Sequence, residues 1–384
     1  MVIANHIQKI QPPPITEVKS WIAGREFPAD KPLIDLCQAI PDYPPPPELI
    51  AHLQEQLIDP LTYRYSPDEG LPEVRQDVCD WYHRRYQASP NPDQLCLTIG
   101  ASQAFWLAMT CLCTPGDEVI LQLPAYFDHP MGLQALGIKP VFAPFVATNG
   151  GQPNINTIAG LITPRTKAIL LVTPSNPTGA VIPADTIAAL FTLAQNKKIA
   201  LILDETYNAF VEESPHHLFS RNDWPDNFIQ IASFGKTFSL TGLRCGALIA
   251  AKEFITQALK VQDSMAVCQP RPAQSALAYG CQNLDDWVAT NAQMMRKRHD
   301  LFRAEFAAAN TDFKLIASGS FFAWIEHPWP EWNSRAVAKQ LADNANLICL
   351  PGAAFGPGMD KYLRLAFGNI SHNQIPAAAQ RFRS

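Results

Sequence analysis

The residues with chemistry to offer gather in one stretch, Ser233-Phe-Gly-Lys-Thr-Phe-Ser-Leu-Thr-Gly-Leu-Arg-Cys-Gly246. Lys236 stands among small and apolar residues, three positions after Ser233 and eight before Arg244. Apolar runs at 228–232 and 245–251 flank it, which places it at a strand end inside the protein. Burial disfavours the charged form of an amine. A neutral lysine is a nucleophile that can form a Schiff base.

Two ligand readings compete. Gly235-Lys-Thr237 could close a phosphate loop of the form G-x-x-x-x-G-K-[ST], but the first glycine would fall at position 230, which is Gln230. Without it the tight backbone cradle fails. The other reading is pyridoxal phosphate, with Lys236 on the aldehyde and Ser233 and Arg244 on the phosphate. On this stretch alone an incidental loop lysine stays open.

The elements around it must be able to build such a site. A chain of 384 residues, 47% hydrophobic, can bury a large core and has room for two domains. With 17% charged residues and a net charge of −5 there is no electrostatic case for nucleic acid. No uninterrupted apolar run reaches membrane-spanning length and no signal peptide is expected. The nine cysteines are scattered without C-x-x-C pairs. That favours a reducing, cytoplasmic setting and gives no metal site. His129 and the His216–His217 pair lack metal-ligand spacing and receive no role.

Strand and helix patterns alternate from 95 to 203. The strand segments 95–99, 118–123, 139–143, 168–172 and 199–203 are continuous apolar runs, the mark of a mostly parallel sheet covered on both faces. Segments 229–232 and 247–251 add two strands without a full helix between them, an antiparallel excursion. Beyond 252 long helical patterns and short strands suggest a smaller α+β unit. The fold class is therefore α/β: a seven-stranded-type sheet with helices on both faces, plus that smaller domain. The expected division is 1–47 as arm and part of the small domain, 48–275 as large domain and 276–384 as small domain. Residues 1 to about 20 read as a loosely attached start.

Open parallel sheets bind ligands outside the carboxyl ends of their strands. Gly100-Ala-Ser-Gln103 follows the first strand and opens a helix, an anion-binding arrangement. Tyr126 follows the second, Ser175-Asn-Pro-Thr-Gly179 a later one, and Asp204-Glu-Thr-Tyr207 the next. Each type has a use for one ligand. A carboxylate, Asp204, keeps a pyridine nitrogen protonated, as the electron sink requires. Tyr207 and Asn176 can donate to the ring oxygen. Tyr126 can stack on the ring, and Arg244 can fork onto phosphate. Taken singly, each could equally be a turn or packing residue.

In this order and spacing the set resembles the class I/II, fold-type I pyridoxal-phosphate aminotransferases of the aspartate, aromatic and kynurenine/glutamine type. The resemblance runs from about Leu33 to the C-terminus and includes Tyr65-x-x-x-x-Gly70 and Tyr362-Leu-Arg-Leu-Ala-Phe367. It implies that Arg364 grips the substrate α-carboxylate with Asn176 assisting. It also implies that Ala101 and Ser102, with Gln103, bind the phosphate, and that Tyr65 reaches the partner's cofactor in a homodimer with shared active sites. A cis Asn176–Pro177 bond is implied as well. Ala39 stands where the family has glycine near the substrate. Arg271 is a ligand for a distal substrate carboxylate or for the phosphate, or equally a structural ion-pair residue. The implied activity is ping-pong transfer of an amino group between an L-amino acid and a 2-oxo acid. Lys236, Asp204 and Tyr207 would be catalytic. A β-lyase or a 1-aminocyclopropane-1-carboxylate synthase-like enzyme would use nearly the same residues, and a non-catalytic cofactor-binding protein is the alternative from another class.

Overall fold

The computed structural model describes residues 1–212 and 214–383. Its strands in chain order are β1 (Ile34–Asp35), β2 (Leu95–Ile99), β3 (Glu118–Gln122), β4 (Lys139–Ala143), β5 (Thr166–Val172), β6 (Ala200–Asp204) and β7 (Phe228–Ser233). Then come β8 (Cys245–Ile249), β9 (Lys314–Gly319), β10 (Phe322–Glu326), β11 (Leu347–Ile348), β12 (Leu350–Pro351) and β13 (Tyr362–Leu365). Seven of them form one sheet in the order β2-β8-β7-β6-β5-β3-β4. Only β8 runs against its neighbours β2 and β7; the other pairings are parallel.

The apolar strands are continuous because both faces are covered. Successive side chains point to opposite faces, and the two cores divide accordingly. Leu201 and Leu203 enter one core, with helices Pro72–Tyr86, Ala184–Lys197 and Arg271–Asn283. Ala200 and Ile202 enter the other, with helices Gly100–Leu112 and Lys252–Ala266. This parity carries past the strand end and decides what Asp204 and Glu205 meet.

A second sheet, β12-β13-β10-β9, is antiparallel throughout and sets Arg364 opposite Trp324 and Leu350. The apolar run 347–350 reads as one strand but is two. Leu347–Ile348 pairs in parallel with β1, and Leu350–Pro351 joins β13. The chain changes sheets at Cys349, and an unbroken apolar run carries no mark of that switch.

The first twenty residues depart from expectation. Helices Asn5–Gln8 and Pro14–Ser20 are tied down, not loose. Val18 is fully buried, Gln11 Nε2 donates to the Ala354 carbonyl at 3.0 Å, and Glu17 pairs with Arg335 at 3.0 Å. These contacts lie more than three hundred residues away in the chain, beyond what local periodicity reports. No helix among the described residues is long and apolar enough to cross a membrane.

Candidate active site

The carboxyl ends of β2, β3, β5, β6 and β7 all reach one edge of the seven-stranded sheet. Because β8 is antiparallel, its entering end, just after Arg244, lies at that same edge. Loops from these ends enclose a cavity of about 490 Å³. Lys236, Ser233 and Arg244 line it, as do Asp204 and Tyr207. Asn176, Tyr126, Ala101, Ser102, Ala39 and Arg364 complete the set of expected residues found in its wall.

Lys236 is the amine of the cavity. Burial, followed by the charges of Arg244 and Arg364, pulls its pKa down to about 8. Arg364 is 1% exposed and makes no ion pair among the described residues. Its Nη1 donates to Asn176 Oδ1 at 3.3 Å and its Nη2 to the Cys37 carbonyl, while Nε has no partner. Phe322 and Phe355 lie against it. A buried guanidinium without an acid is costly, and it faces a cavity from which an anion can approach.

Asp204 ends β6 with its side chain buried. Oδ1 accepts from the Thr206 amide at 3.1 Å and hydroxyl at 2.7 Å. Oδ2 lies 3.2 Å from His129 Nε2. The carboxyl is thus held from both oxygens and cannot swing. Burial pushes the Tyr207 phenol above the usual tyrosine range, so it stays a donor at neutral pH.

The anion end of the cavity depends on missing side chains. Gly100 has φ +72°, and a Cβ there would sit 2.5 Å from Arg244 Nη2. A Cβ on Gly246 would meet the Gly100 backbone carbon at 2.4 Å. Glycine at both positions lets the guanidinium and the first turn of helix Gly100–Leu112 converge. The free N–H groups of that turn favour a phosphate.

Three expected residues fall elsewhere. Gln103 turns its amide back, and Oε1 accepts from the Ile99 amide at 2.6 Å, so it braces the turn rather than facing the cavity. Tyr65 is 78% exposed and stands outside its own chain's cavity. Arg271 donates to the carbonyls of Arg64 at 2.9 Å and Tyr65 at 3.0 Å, so its fork holds the Tyr65 loop. Among the described residues no acid partners it, and it does not line the cavity. The cis peptides are Leu123–Pro124 and Thr173–Pro174; Asn176–Pro177 is not among them.

The profile of aminotransferase class I and II matches residues 31–382. The chain belongs to that family. It is 26% identical to an aromatic aminotransferase of Arabidopsis thaliana over 97% of this chain and 93% of that protein. It is also 26% identical to an aspartate aminotransferase of Pyrococcus abyssi over 99% of this chain and 97% of the other. Among solved structures, a single mutant of the Thermus thermophilus aspartate aminotransferase superposes with TM-score 0.90 at 26% identity, covering 100% of this chain and 99% of that one.

Several features of this aminotransferase escaped the sequence. The spacing of His129 assigns it no role, yet it supports Asp204 and stacks on Phe105 at 4.9 Å. The strand-end rule that selected Tyr126 would have reached it three residues on. Thr206 sits inside a motif already singled out. Ile10 and Ile15 line the cavity from the N-terminal segment, which no local signal connects with the sheet.

Proposed function

We propose that this aminotransferase moves an amino group between an L-amino acid and a 2-oxo acid in two half-reactions, with pyridoxal 5′-phosphate held at the edge of the sheet. The observation that carries this is the grouping, in one cavity, of an amine lowered to about 8, a braced buried acid and a buried guanidinium with no acid partner among the described residues. The donor set fits the cofactor. Ser233, Arg244 and the amides at Ala101 and Ser102 suit its phosphate. Asp204 suits its ring nitrogen, Tyr207 and Asn176 its ring oxygen, and Tyr126 its face.

When bound, pyridoxal phosphate supplies an aldehyde for the amino group and an electron sink for the pair left at Cα. Lys236, neutral in a large fraction near pH 8, accepts the Cα proton and returns it as general base and acid. Arg364, with Asn176, orients the α-carboxylate so that this proton faces the amine. Asp204, fixed by His129 and Thr206, keeps the ring nitrogen protonated. The apolar wall of Ile10, Ile15 and Ile40 excludes water around the reacting carbon.

A homodimer with shared active sites belongs to the same proposal. The exposure of Tyr65 and its loop's anchoring by Arg271 support delivery of that tyrosine to a second copy. The nine free cysteines support a cytoplasmic location. The proposed division at 1–47, 48–275 and 276–384 is supported by the confinement of the seven-stranded sheet to 95–249 and the four-stranded sheet to 314–365.

Lys236→Ala is the direct test. The wild type should bind the cofactor with visible absorbance that an amino donor bleaches. The variant should keep its fold by circular dichroism and lose donor-driven bleaching by at least about 10²–10⁴-fold. Retention of the wild-type rate in the variant would sink the proposal.

A further inference from the structure

With Lys236, Asp204, Arg244 and Arg364 assigned to cofactor and α-carboxylate, and His129 bound to Asp204, one charged side chain remains among the described residues of the cavity wall: Asp128. It opens the helix Asp128–Ala135, two residues after Tyr126. Its Oδ2 accepts from the Tyr126 hydroxyl at 2.5 Å. That bond fixes the carboxylate beside the ring expected to stack on the cofactor. Oδ1 makes no hydrogen bond among the described residues and is not buried, and the side chain lines the cavity. Ile10, Ile15, Ile40 and Met131 make an otherwise apolar wall, interrupted by the Gln38 amide.

Among the described residues no cation in that wall is left for a distal carboxylate. Of the N-terminal lysines, neither Lys9, which precedes Ile10, nor Lys19 lines the cavity. Lys19 Nζ donates to Gln38 Oε1 at 2.9 Å and lies 3.8 Å from Asp35. Arg271 is held by backbone carbonyls of the Tyr65 loop.

We propose that Asp128 reads the far end of the substrate side chain. The preferred donors are amino acids with an apolar side-chain body and a distal hydrogen-bond donor, and aspartate and glutamate are disfavoured. The inference rests on the transaminase reading above. A second carboxylate brought beside Asp128, in a site partly closed to water, is repelled by the like charge. An amide N–H or a phenol O–H instead satisfies the open Oδ1. Specificity here comes as much from the repulsive group as from the attractive contact.

The test uses holoenzyme and one amino donor at a time, with no 2-oxo acid, and follows loss of the bound cofactor's visible absorbance. Glutamine and glutamate are near-isosteric and differ in the charge at issue. The wild type should favour glutamine over glutamate by at least about tenfold, and Asp128→Asn should narrow that ratio by about fivefold or more. The preference for tyrosine over phenylalanine should shrink in the same variant. Equal use of the two donors by the wild type, or a glutamine-to-glutamate ratio that stays within about twofold in Asp128→Asn, overturns the inference. Should that variant fail to fold, Asp128→Ser and the wild-type ratio decide it. Bleaching by many donors without this discrimination removes only the role of Asp128. Absence of bleaching by any donor removes the transaminase reading, and this one with it.

Discussion

Two adjacent acids, Asp204 and Glu205, each meet a histidine, and the two pairs differ in nearly everything else. Asp204 Oδ2 lies 3.2 Å from His129, and its carboxyl borders the cavity. Glu205 Oε2 lies 3.0 Å from His216, with both side chains sealed from solvent. His216 Nδ1 accepts from the Leu218 amide, so its Nε2 carries the proton and donates to Glu205. Gln230 also donates to Glu205 Oε2, and the Tyr86 hydroxyl accepts from Gln230 and Asn208. One pair is open to a ligand; the other ties helix Pro72–Tyr86 to Asn208 and to the turn at His216–Leu218 beneath the sheet. The same residue chemistry is thus a site on one face and a strut on the other. The strand's alternation assigns the faces.

The acid on the cavity side carries the largest expected effect. Asp204→Asn keeps the hydrogen-bonding shape but removes the charge that would hold the ring nitrogen protonated. Donor-driven bleaching should fall by about 10²–10³-fold while the urea midpoint stays near that of the wild type. A stability loss without a rate loss would reassign Asp204 as structural.

Exchanging each histidine for phenylalanine sharpens the contrast. His216→Phe leaves a buried acid without its main donor, and unfolding free energy should drop by about 3 kcal/mol. His129→Phe leaves Asp204 its two Thr206 bonds, and the expected loss is about tenfold in rate with a smaller change in stability. Equal stability losses from the two variants would erase the distinction between site and strut.

The smallest effect is a pH dependence confined to the cavity side. Lys236 is protonated below its pKa of about 8 and nucleophilic above it. The rate at which apoprotein captures pyridoxal phosphate should therefore rise toward pH 8 and level off beyond. Stopped-flow absorbance across that range reads it; a rate that falls with rising pH contradicts the assignment of the amine.

Much of the site was legible because strand ends are local features. Lys236, Asp204, Asn176 and Tyr126 each follow an apolar run, and the rule that parallel sheets bind at their carboxyl ends gathers them without coordinates. The misses were long-range. Nothing near Ile10 tells that it closes a cavity built around Lys236. Gln103 reads as a phosphate-side residue until the bond to the Ile99 amide shows its amide already engaged. Arg271 reads as a candidate ligand until its fork is found on Arg64 and Tyr65.

Lys236 carries both lessons. Its sequence context determined that the amine would be buried at a strand end, and the types spaced around it named the cofactor those strand ends suit. The lowering of its pKa was decided by tertiary structure: burial contributes most, and the charges of Arg244, from the turn before β8, and of Arg364, from the other sheet, add to it. The same holds for Asp128, whose type is plain in the chain but whose direction is not. Only the folded chain sets its carboxylate in the cavity wall, held there by the Tyr126 hydroxyl. Local types follow from the chain; the field at a site sums over charges that only the folded chain brings together.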